Sequence, residues 1–197
     1  MIIIKNFFVS YFIIIIFFII FSSLFLYYYN YNLNIFTISR NSNYEYYFTS
    51  NNFIWPLPGY HTITSYFGPR TSPTTGASFN HSGIDIAAPE NTQILSITDG
   101  FVIFTGFNGA NGHSIIIKNN EFEINYCHVS ANYIVNIGNN IQSGQLIGYV
   151  GPKYLSSGNS FYTDSNGRFT NGATTGCHLH LTIKKDGIAV NPLSYFK

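Results

Sequence analysis

"CHLHLTIKKDG" (residues 177–187) is a run of apolar and β-branched residues that predicts a β-strand. In a strand, side chains two positions apart lie on the same face, about 7 Å from each other. His178 and His180 are therefore expected to point the same way, while Leu179 and Leu181 face the core. On an α-helix the two histidines would diverge by about 200° and could not act on one target.

Short strand-favouring runs fill most of the chain before this segment and are divided by Gly, Pro and Asn. The sequence shows no amphipathic helix of useful length between them. Many short strands separated by turn residues predict an all-β fold of mostly antiparallel sheets, either a sandwich or a barrel-like sheet. The runs are "HTITSYF", "GIDIAA", "TQILSITDGFVIFTGF", "GHSIIIKN", "FEINYCHVS", "IVNIG" and "GQLIGYV".

The stretch "FNHSGIDIAAPENT", which begins at Phe79, places a histidine, a glycine and an aspartate close together in the chain. A fully extended strand would separate His81 from Asp85 by roughly 13 Å, whereas zinc binds nitrogen and oxygen ligands at about 2.0–2.2 Å. A shared metal therefore requires a bend. Gly83 permits one, because glycine takes positive φ and lets another backbone approach closely. A metal could then bind His81, Asp85 and one histidine of the HLH pair, and keep a fourth position for water.

His128, in "NYCHVS", adds an imidazole on another predicted strand. Taken alone, a strand histidine is more often a hydrogen-bonded structural residue, and an HxxxD match is common. Together, these histidines and the aspartate favour a metal site. Cys127 and Cys177 each directly precede a histidine, and their spacing fits neither a zinc finger nor a disulfide-rich scaffold. A disulfide between them is one interpretation, and two unpaired thiols is the one that we favour.

The N-terminal part is predicted to be a membrane anchor. Residues 7–26 form an apolar run about twenty residues long, which is enough for a helix to span a bilayer. A cleaved signal peptide is disfavoured because bulky aromatic residues follow the run, and a buried helix would need a larger protein around it. We expect an anchor with a short cytoplasmic end at residues 1–28, a stalk at 29–52 and one domain at 53–197. Lys5 precedes the run, which places the domain on the extracellular or periplasmic side of the cell membrane.

The composition argues against one class of partner. Charged residues make up 9% of the chain and the net charge is +1, whereas charged residues typically make up about 25%. Lys and Arg are scattered singly, while binding to the phosphates of nucleic acid needs clustered positive charge. Nucleic acid is therefore not expected as a partner.

From residue 55 to residue 192 the order of motifs resembles the lysostaphin-type, LytM-like zinc metallopeptidases, which cut the peptides of bacterial peptidoglycan. The resemblance implies antiparallel sheet lining an open groove, with a zinc ion (Zn2+) on its floor. By motif, His81, Asp85 and His180 are similar to the zinc ligands. His128 and His178 are similar to the catalytic imidazoles beside the water that the metal activates. The matching segments are "WPLPG", "ITSYFGPR", "HSGIDIAAPENTQI", "DGFVIFTGFNGANGHSIIIKN", "YCHVS", "GNNIQSGQLIGYVG", "HLHLTI" and "DGIAVNPL".

Three features depart from the family pattern. Cys177 stands where the family usually has proline, and Thr182 stands where it often has an acidic residue. Because Thr182 shares the face of the histidines, any support for them from this position comes from a hydroxyl. Residues 152–177, here called the insertion, are much longer than the usual loop before HLH. The insertion is either a tolerated surface loop or a wall of the groove that selects substrate.

Two histidines, His61 and His113, do not match the family's site, and we assign both to structure. Arg70 ends the segment "FGPR". It either pins the strand beside the groove or meets a carboxylate of the substrate, and we favour the structural role.

The function predicted from these observations is that of a zinc-dependent endopeptidase. It would hydrolyse peptide bonds of bacterial peptidoglycan, in the stem peptide or the cross-bridge, from a single-pass membrane anchor. The alternative is a non-catalytic relative that serves as a scaffold or regulator of cell-wall hydrolysis or of a membrane secretion assembly. Such relatives commonly lose a ligand or a catalytic histidine, whereas this chain keeps all of them, which favours the enzyme.

Overall fold

The structure, a computed structural model, describes residues 20–24, 53–156 and 161–196. The chain divides into two compact units, Met1–Phe48 and Thr49–Lys197. In the first unit, the short described piece is helical. The rest of the predicted membrane anchor and the predicted stalk lie outside the described residues. Within the described residues, no helix is long and apolar enough to cross a membrane.

The second unit is built from short strands, together with 3-10 turns at Gly109–Asn111 and Pro192–Ser194. Strand-favouring residues and frequent turn residues produce this pattern, as the sequence predicts. In chain order the strands are β1 (Ile63–Ser65), β2 (Gly68–Pro69), β3 (Asn80–His81), β4 (Ile84–Ala87), β5 (Gln93–Leu95), β6 (Gly100–Phe107), β7 (His113–Lys118), β8 (Phe122–Cys127), β9 (Asn140–Ile141), β10 (Leu146–Tyr149), β11 (His178–Lys185) and β12 (Ile188–Val190).

The main sheet has the strand order β1-β4-β11-β8-β7-β6-β9, with β12 paired to β11, and all of its pairs are antiparallel. Smaller antiparallel sheets pair β10 with β5 and β2 with β3. In the register of β11, His180 lies opposite Asp85 of β4 and Cys127 of β8. The predicted all-β fold of mostly antiparallel sheets is confirmed.

The two faces of β11 differ in character. Leu179, Leu181 and Ile183 are fully buried in the hydrophobic core. His178 and His180 line a cleft on the opposite face. Burying each such leucine or isoleucine contributes about 1.5–3 kcal/mol relative to exposing it. The alternation predicted for this segment is therefore confirmed, and it places the histidines where the core does not cover them.

The run "TQILSITDGFVIFTGF" does not form one strand. It divides into β5 and β6, which belong to different sheets. The chain turns at residues 96–99, where the backbone N–H of Ile97 donates to the hydroxyl of Tyr126 instead of joining a ladder. Tyr126 is fully buried, so its hydroxyl is satisfied inside the core at this turn.

The predicted strand in "IVNIG" is wrong. Val135 is buried, but Ile137 is 63% exposed, and neither residue lies in a strand. A turn replaces the strand: the backbone N–H of Asn139 donates to the carbonyl of Asn136, and Gly138 has a φ of 90°. This left-handed backbone suits glycine and stops the strand before β9 begins.

Candidate active site

Three potential metal ligands converge at the floor of the cleft. The Nε2 atom of His81 lies 2.9 Å from the Nδ1 atom of His180. The Oδ1 atom of Asp85 lies 2.8 Å from the same Nδ1 atom and 3.2 Å from the Nε2 atom of His81. Strands β4 and β11 place Asp85 beside His180 through their register, and β3 ends at His81. The structure therefore brings together the three residues predicted as metal ligands.

A bend between β3 and β4 makes this convergence possible. A Cβ atom on Gly83 would lie 2.2 Å from the carbonyl oxygen of Leu181, so only glycine lets β11 approach this closely. The predicted close approach is thus present. The predicted positive φ is wrong, because Gly83 is not among the residues in the left-handed region. The bend arises where the chain leaves the small β2-β3 sheet and joins the main sheet.

The donor set fits a divalent cation such as zinc. The Nδ1 atom of His81 lies 2.9 Å from the carbonyl oxygen of Tyr66. A carbonyl can only accept a hydrogen bond, so in neutral His81 the Nε2 atom carries a lone pair. A tetrahedral zinc with bonds of about 2.0–2.2 Å holds its ligands about 3.3–3.6 Å apart. The observed separations of 2.8, 2.9 and 3.2 Å are shorter by about 0.1–0.8 Å, so outward movement of the ligands by less than an ångström accommodates the ion.

A second layer of side chains holds these ligands in place. The Nε2 atom of His180 lies 2.9 Å from the hydroxyl of Thr182, which is the hydroxyl support expected at this position. The guanidinium of Arg70 donates to the Oδ2 atom of Asp85 at 3.1 Å and to the hydroxyl of Ser65. Arg70 is therefore engaged with the chain's own carboxylate, which supports the structural role favoured from the sequence.

The electrostatics of Asp85 and His180 are those of buried groups. Burial alone would raise the pKa of Asp85, but its contacts with the imidazoles of His180 and His81 outweigh burial and hold that pKa well below its usual range. Burial lowers the pKa of His180. The site therefore favours an ionised carboxylate beside neutral imidazole, which are the forms in which these groups bind metal.

Two further imidazoles, of His128 and His178, lie beside this triangle with their ring centroids 4.7 Å apart. The Nδ1 atom of His128 donates to the carbonyl of Asn171 at 2.7 Å, and that of His178 donates to the carbonyl of Gly176 at 2.9 Å. In each neutral ring, the Nε2 atom is then left with its lone pair. The Nε2 atom of His178 lies 3.5 Å from the Oδ1 atom of Asp85.

The backbone conformation and the pKa of His128 are both unusual. Its φ of 59° is in the left-handed region, which is uncommon for a residue other than glycine. Its side chain is almost completely buried, and burial lowers its pKa to about 3. His128 is therefore neutral at pH 7. Strained backbone of this kind clusters at functional sites, where the surrounding structure must hold it.

The cleft above these side chains has a volume of about 380 Å³. Its rims come from the chain between β2 and β3, from the 3-10 turn at Gly109–Asn111, and from the insertion, which contributes Ala173, Thr174 and Thr175. The described part of the insertion is folded. The Asp164 carboxylate accepts hydrogen bonds from the Arg168 side chain and from the Tyr154 hydroxyl. Part of the insertion therefore lines the groove, and its predicted role in selecting substrate stays a prediction.

The other histidines and the cysteines lie outside the triangle. His61 stacks on Trp55, and the Nδ1 atom of His113 lies 2.6 Å from the hydroxyl of Tyr133. Both contacts agree with the structural assignments. Cys127 and Cys177 are both free thiols, so the disulfide interpretation does not describe this structure.

Sequence reasoning missed Asn171, a fully buried residue at the C-terminal end of the insertion. Its carbonyl receives the hydrogen bond from His128 described above. A backbone acceptor leaves no mark in a sequence, because every residue has a carbonyl. The only local sign is the following Gly172, whose φ of 75° turns the chain under the site.

Comparisons with known proteins show which family the chain belongs to. The model of peptidase family M23 matches residues 79–192, more than half of the chain. The chain is similar to the DD-carboxypeptidase/endopeptidase Mpg of Neisseria meningitidis serogroup B, with 33% identity over 136 residues, 68% of this chain and 27% of that protein. It therefore spans about a quarter of the length of this relative.

Solved structures show a shared fold. A zinc containing peptidase from Vibrio cholerae is 28% identical, with a TM-score of 0.56 over 71% of this chain and 39% of that one. The catalytic domain of lysostaphin from Staphylococcus simulans is 22% identical, with a TM-score of 0.55 over 68% of this chain and 91% of that one. The second likeness concerns the fold alone, and both confirm the predicted lysostaphin-like architecture of the second unit.

Proposed function

Because the chain belongs to peptidase family M23, we propose that it is a zinc-dependent endopeptidase that hydrolyses peptide bonds of bacterial peptidoglycan, in the stem peptide or the cross-bridge. The observation that carries the proposal is the convergence of His81, Asp85 and His180 beneath two imidazoles on one cleft. The names of the similar Neisseria protein, a DD-carboxypeptidase/endopeptidase, and of the Vibrio cholerae zinc containing peptidase support the substrate and the metal.

Three atoms would hold the zinc ion: Nε2 of His81, Oδ1 of Asp85 and Nδ1 of His180. When bound, zinc supplies Lewis acidity and lowers the pKa of a water ligand towards about 7. The hydroxyl of Thr182 and the guanidinium of Arg70 keep the imidazole of His180 and the carboxylate of Asp85 in place. These contacts restrict the side chains of the ligands, so less conformational entropy is lost when an ion binds.

His128 and His178 supply the proton chemistry. Hydrogen bonds to backbone carbonyls occupy their Nδ1 atoms, so each can offer Nε2 to the cleft. One imidazole accepts a proton from the attacking water, and the other, when protonated, donates to the oxygen that gains charge as the peptide carbonyl is attacked. The walls of the cleft orient the peptide so that its carbonyl lies between the two rings.

Digestion of cell wall tests this proposal. The full chain, purified in detergent, is incubated with purified peptidoglycan and zinc, and new amino termini are labelled and identified by mass spectrometry. We expect release by the wild type and a loss of about 10²–10⁴-fold in His178→Asn, because a proton-transfer group is removed. The control is His61→Asn, because His61 is exposed, stacks on Trp55 and does not line the cleft. No release from several wall types, together with no bound zinc, would favour the non-catalytic scaffold.

We propose further that the enzyme works at the outer face of the cell membrane, held by the predicted anchor at residues 1–28. The apolar run at residues 7–26 and the position of Lys5 support this location. Membrane fractionation, followed by protease treatment of intact spheroplasts, tests it. Digestion of the domain from outside is expected, and recovery of the whole chain in the soluble fraction would contradict the anchor.

A further inference from the structure

We propose that Asn171 is a positioning residue for His128, which it holds in the tautomer with the proton on Nδ1 and the lone pair on Nε2. This inference deepens the proposed function and rests on it for its effect on catalysis. The carbonyl oxygen of Asn171 lies 2.7 Å from the Nδ1 atom of His128. Since the carbonyl can only accept, the proton must be on that nitrogen.

The backbone of Asn171 is held beside His128, because three further hydrogen bonds fix the residue. Its side-chain oxygen accepts from the backbone N–H of His113 at 2.8 Å, and its side-chain nitrogen donates to the carbonyl of Val129 at 3.0 Å. Its own N–H donates to the carbonyl of Lys153 at 2.9 Å. The residue is fully buried. The amide side chain thus fixes the position of the residue, and the backbone carbonyl of the same residue accepts the hydrogen bond from the imidazole.

The space around Asn171 is shaped for this side chain. A Cβ atom on Gly112 would lie 2.4 Å from the side-chain oxygen of Asn171, and one on Gly151 would lie 2.6 Å from its side-chain nitrogen. Both glycines therefore leave room that an alanine would fill. This space has one donor and one acceptor on its walls. An amide side chain can pair with both of them, whereas another side chain of the same shape cannot.

The imidazole of His128 needs a contact of this kind to fix its orientation. The backbone of this residue is left-handed, and the 3-10 turn and the chain after β10 fix it through the carbonyl of Asn111 and the N–H of Gly151. These bonds hold the main chain but leave the imidazole free to rotate about its side-chain torsions. The Asn171 carbonyl is the contact that fixes which ring nitrogen reaches the cleft. The insertion is therefore part of the catalytic apparatus, since it delivers this carbonyl.

The tautomer can be measured directly by NMR. In the full chain labelled with 15N, long-range 1H–15N correlations distinguish a protonated from an unprotonated ring nitrogen, and His128→Asn assigns the signals. We expect Nδ1–H at His128 in the wild type. In Asn171→Asp, which keeps the shape but cannot donate to Val129, we expect the Nε2–H form to appear, and kcat to fall about 10–100-fold with KM changed less than about twofold. The matched control is Asn119→Asp, in a turn away from the cleft, which should change neither quantity.

Each outcome decides the proposal. Nε2–H at His128 in the wild type overturns it, and so does a folded Asn171→Asp variant that keeps both the wild-type tautomer and the wild-type kcat. If the aspartate variant does not fold, the wild-type tautomer alone decides, with Nδ1–H in support. Because the tautomer is read without substrate, this result stands apart from the failure of the proposed peptidase activity, which the cell-wall digestion measures.

Discussion

Replacing Thr182 with valine tests how the chain prepares His180 to bind metal. The Thr182 hydroxyl lies 2.9 Å from the Nε2 atom of His180 and is buried. Valine has nearly the same shape and is equally suited to a strand, so β11 is expected to remain intact. What changes is the partner of one buried imidazole nitrogen.

The expected size of the effect follows from the tautomers of His180. When Nδ1 binds zinc, Nε2 must carry the proton, and in the valine variant that buried N–H has no acceptor, which costs about 1–3 kcal/mol. Without metal, the ring can instead place its proton on Nδ1, which lies 2.8 Å from the Oδ1 atom of Asp85. The cost therefore falls on the metal-bound form. We expect the zinc dissociation constant to rise about ten- to a hundredfold.

Competition with a chromophoric chelator measures this constant in the full chain, and thermal unfolding of the metal-free proteins provides the comparison of stability. Thr182→Ser keeps the hydroxyl and should bind zinc within about threefold of the wild type, since only a methyl group is lost. A valine variant that binds zinc as tightly as the wild type would show that the hydroxyl does not support the ligand. The reasoning would then be wrong at its first step.

Three other changes have defined outcomes. Arg70→Gln removes the guanidinium from the Oδ2 atom of Asp85 and should weaken zinc binding about tenfold in the same competition; unchanged affinity would contradict the role assigned to Arg70. The unfolding free energy of the metal-free wild-type protein should fall as the pH is lowered from about 6.5 towards 3. Burial lowers the pKa of His128 to about 3, so in this range the unfolded chain binds a proton at this residue and the folded protein does not. In denaturant titrations His128→Asn, which suits left-handed backbone, should reduce this slope by about 1.4 kcal/mol per pH unit; an unaltered slope would show that His128 is not held neutral. A thiol reagent followed by mass spectrometry should modify Cys177 in the folded protein and Cys127 only after unfolding, because Cys127 is fully buried and burial raises its pKa to about 12; equal rates would contradict this burial.

Much of the site could be predicted because its parts have local signatures. The alternation in "CHLHLTIKKDG" put His178 and His180 on one face, since the side chains of a strand alternate with a period of two whatever its neighbours are. Gly83 indicated where the chain lets another strand approach. The division of one long run into β5 and β6 could not be predicted, because it depends on which distant segments offer hydrogen bonds. The strand expected in "IVNIG" was wrong because a turn at Gly138 replaces it.

The residues that support the ligands were harder to find. Arg70 was visible as a charged residue near the groove, but its partner, Asp85, becomes its neighbour only through the pairing of β1 with β4. Asn171 was not visible at all, because its contribution to His128 comes from the backbone. Asparagine is common in turns, so the sequence does not distinguish this side chain from that of an ordinary turn residue until folding brings its hydrogen-bond partners beside it.

The chain's own order of residues was sufficient to establish an all-β domain, a histidine pair on one strand face and an aspartate able to join it, because these depend on spacing and on the geometry of a strand. Only the folded structure determines which nitrogen of each histidine faces the other residues of the site. His180 reaches Asp85 across 95 positions of sequence and His81 across 99, and contacts over such separations follow from strand register and from the hydrogen bonds that each ring makes on its far side. Those bonds belong to Tyr66, Thr182 and Asn171, so the chemistry of the imidazoles depends on neighbours that only the assembled sheet supplies.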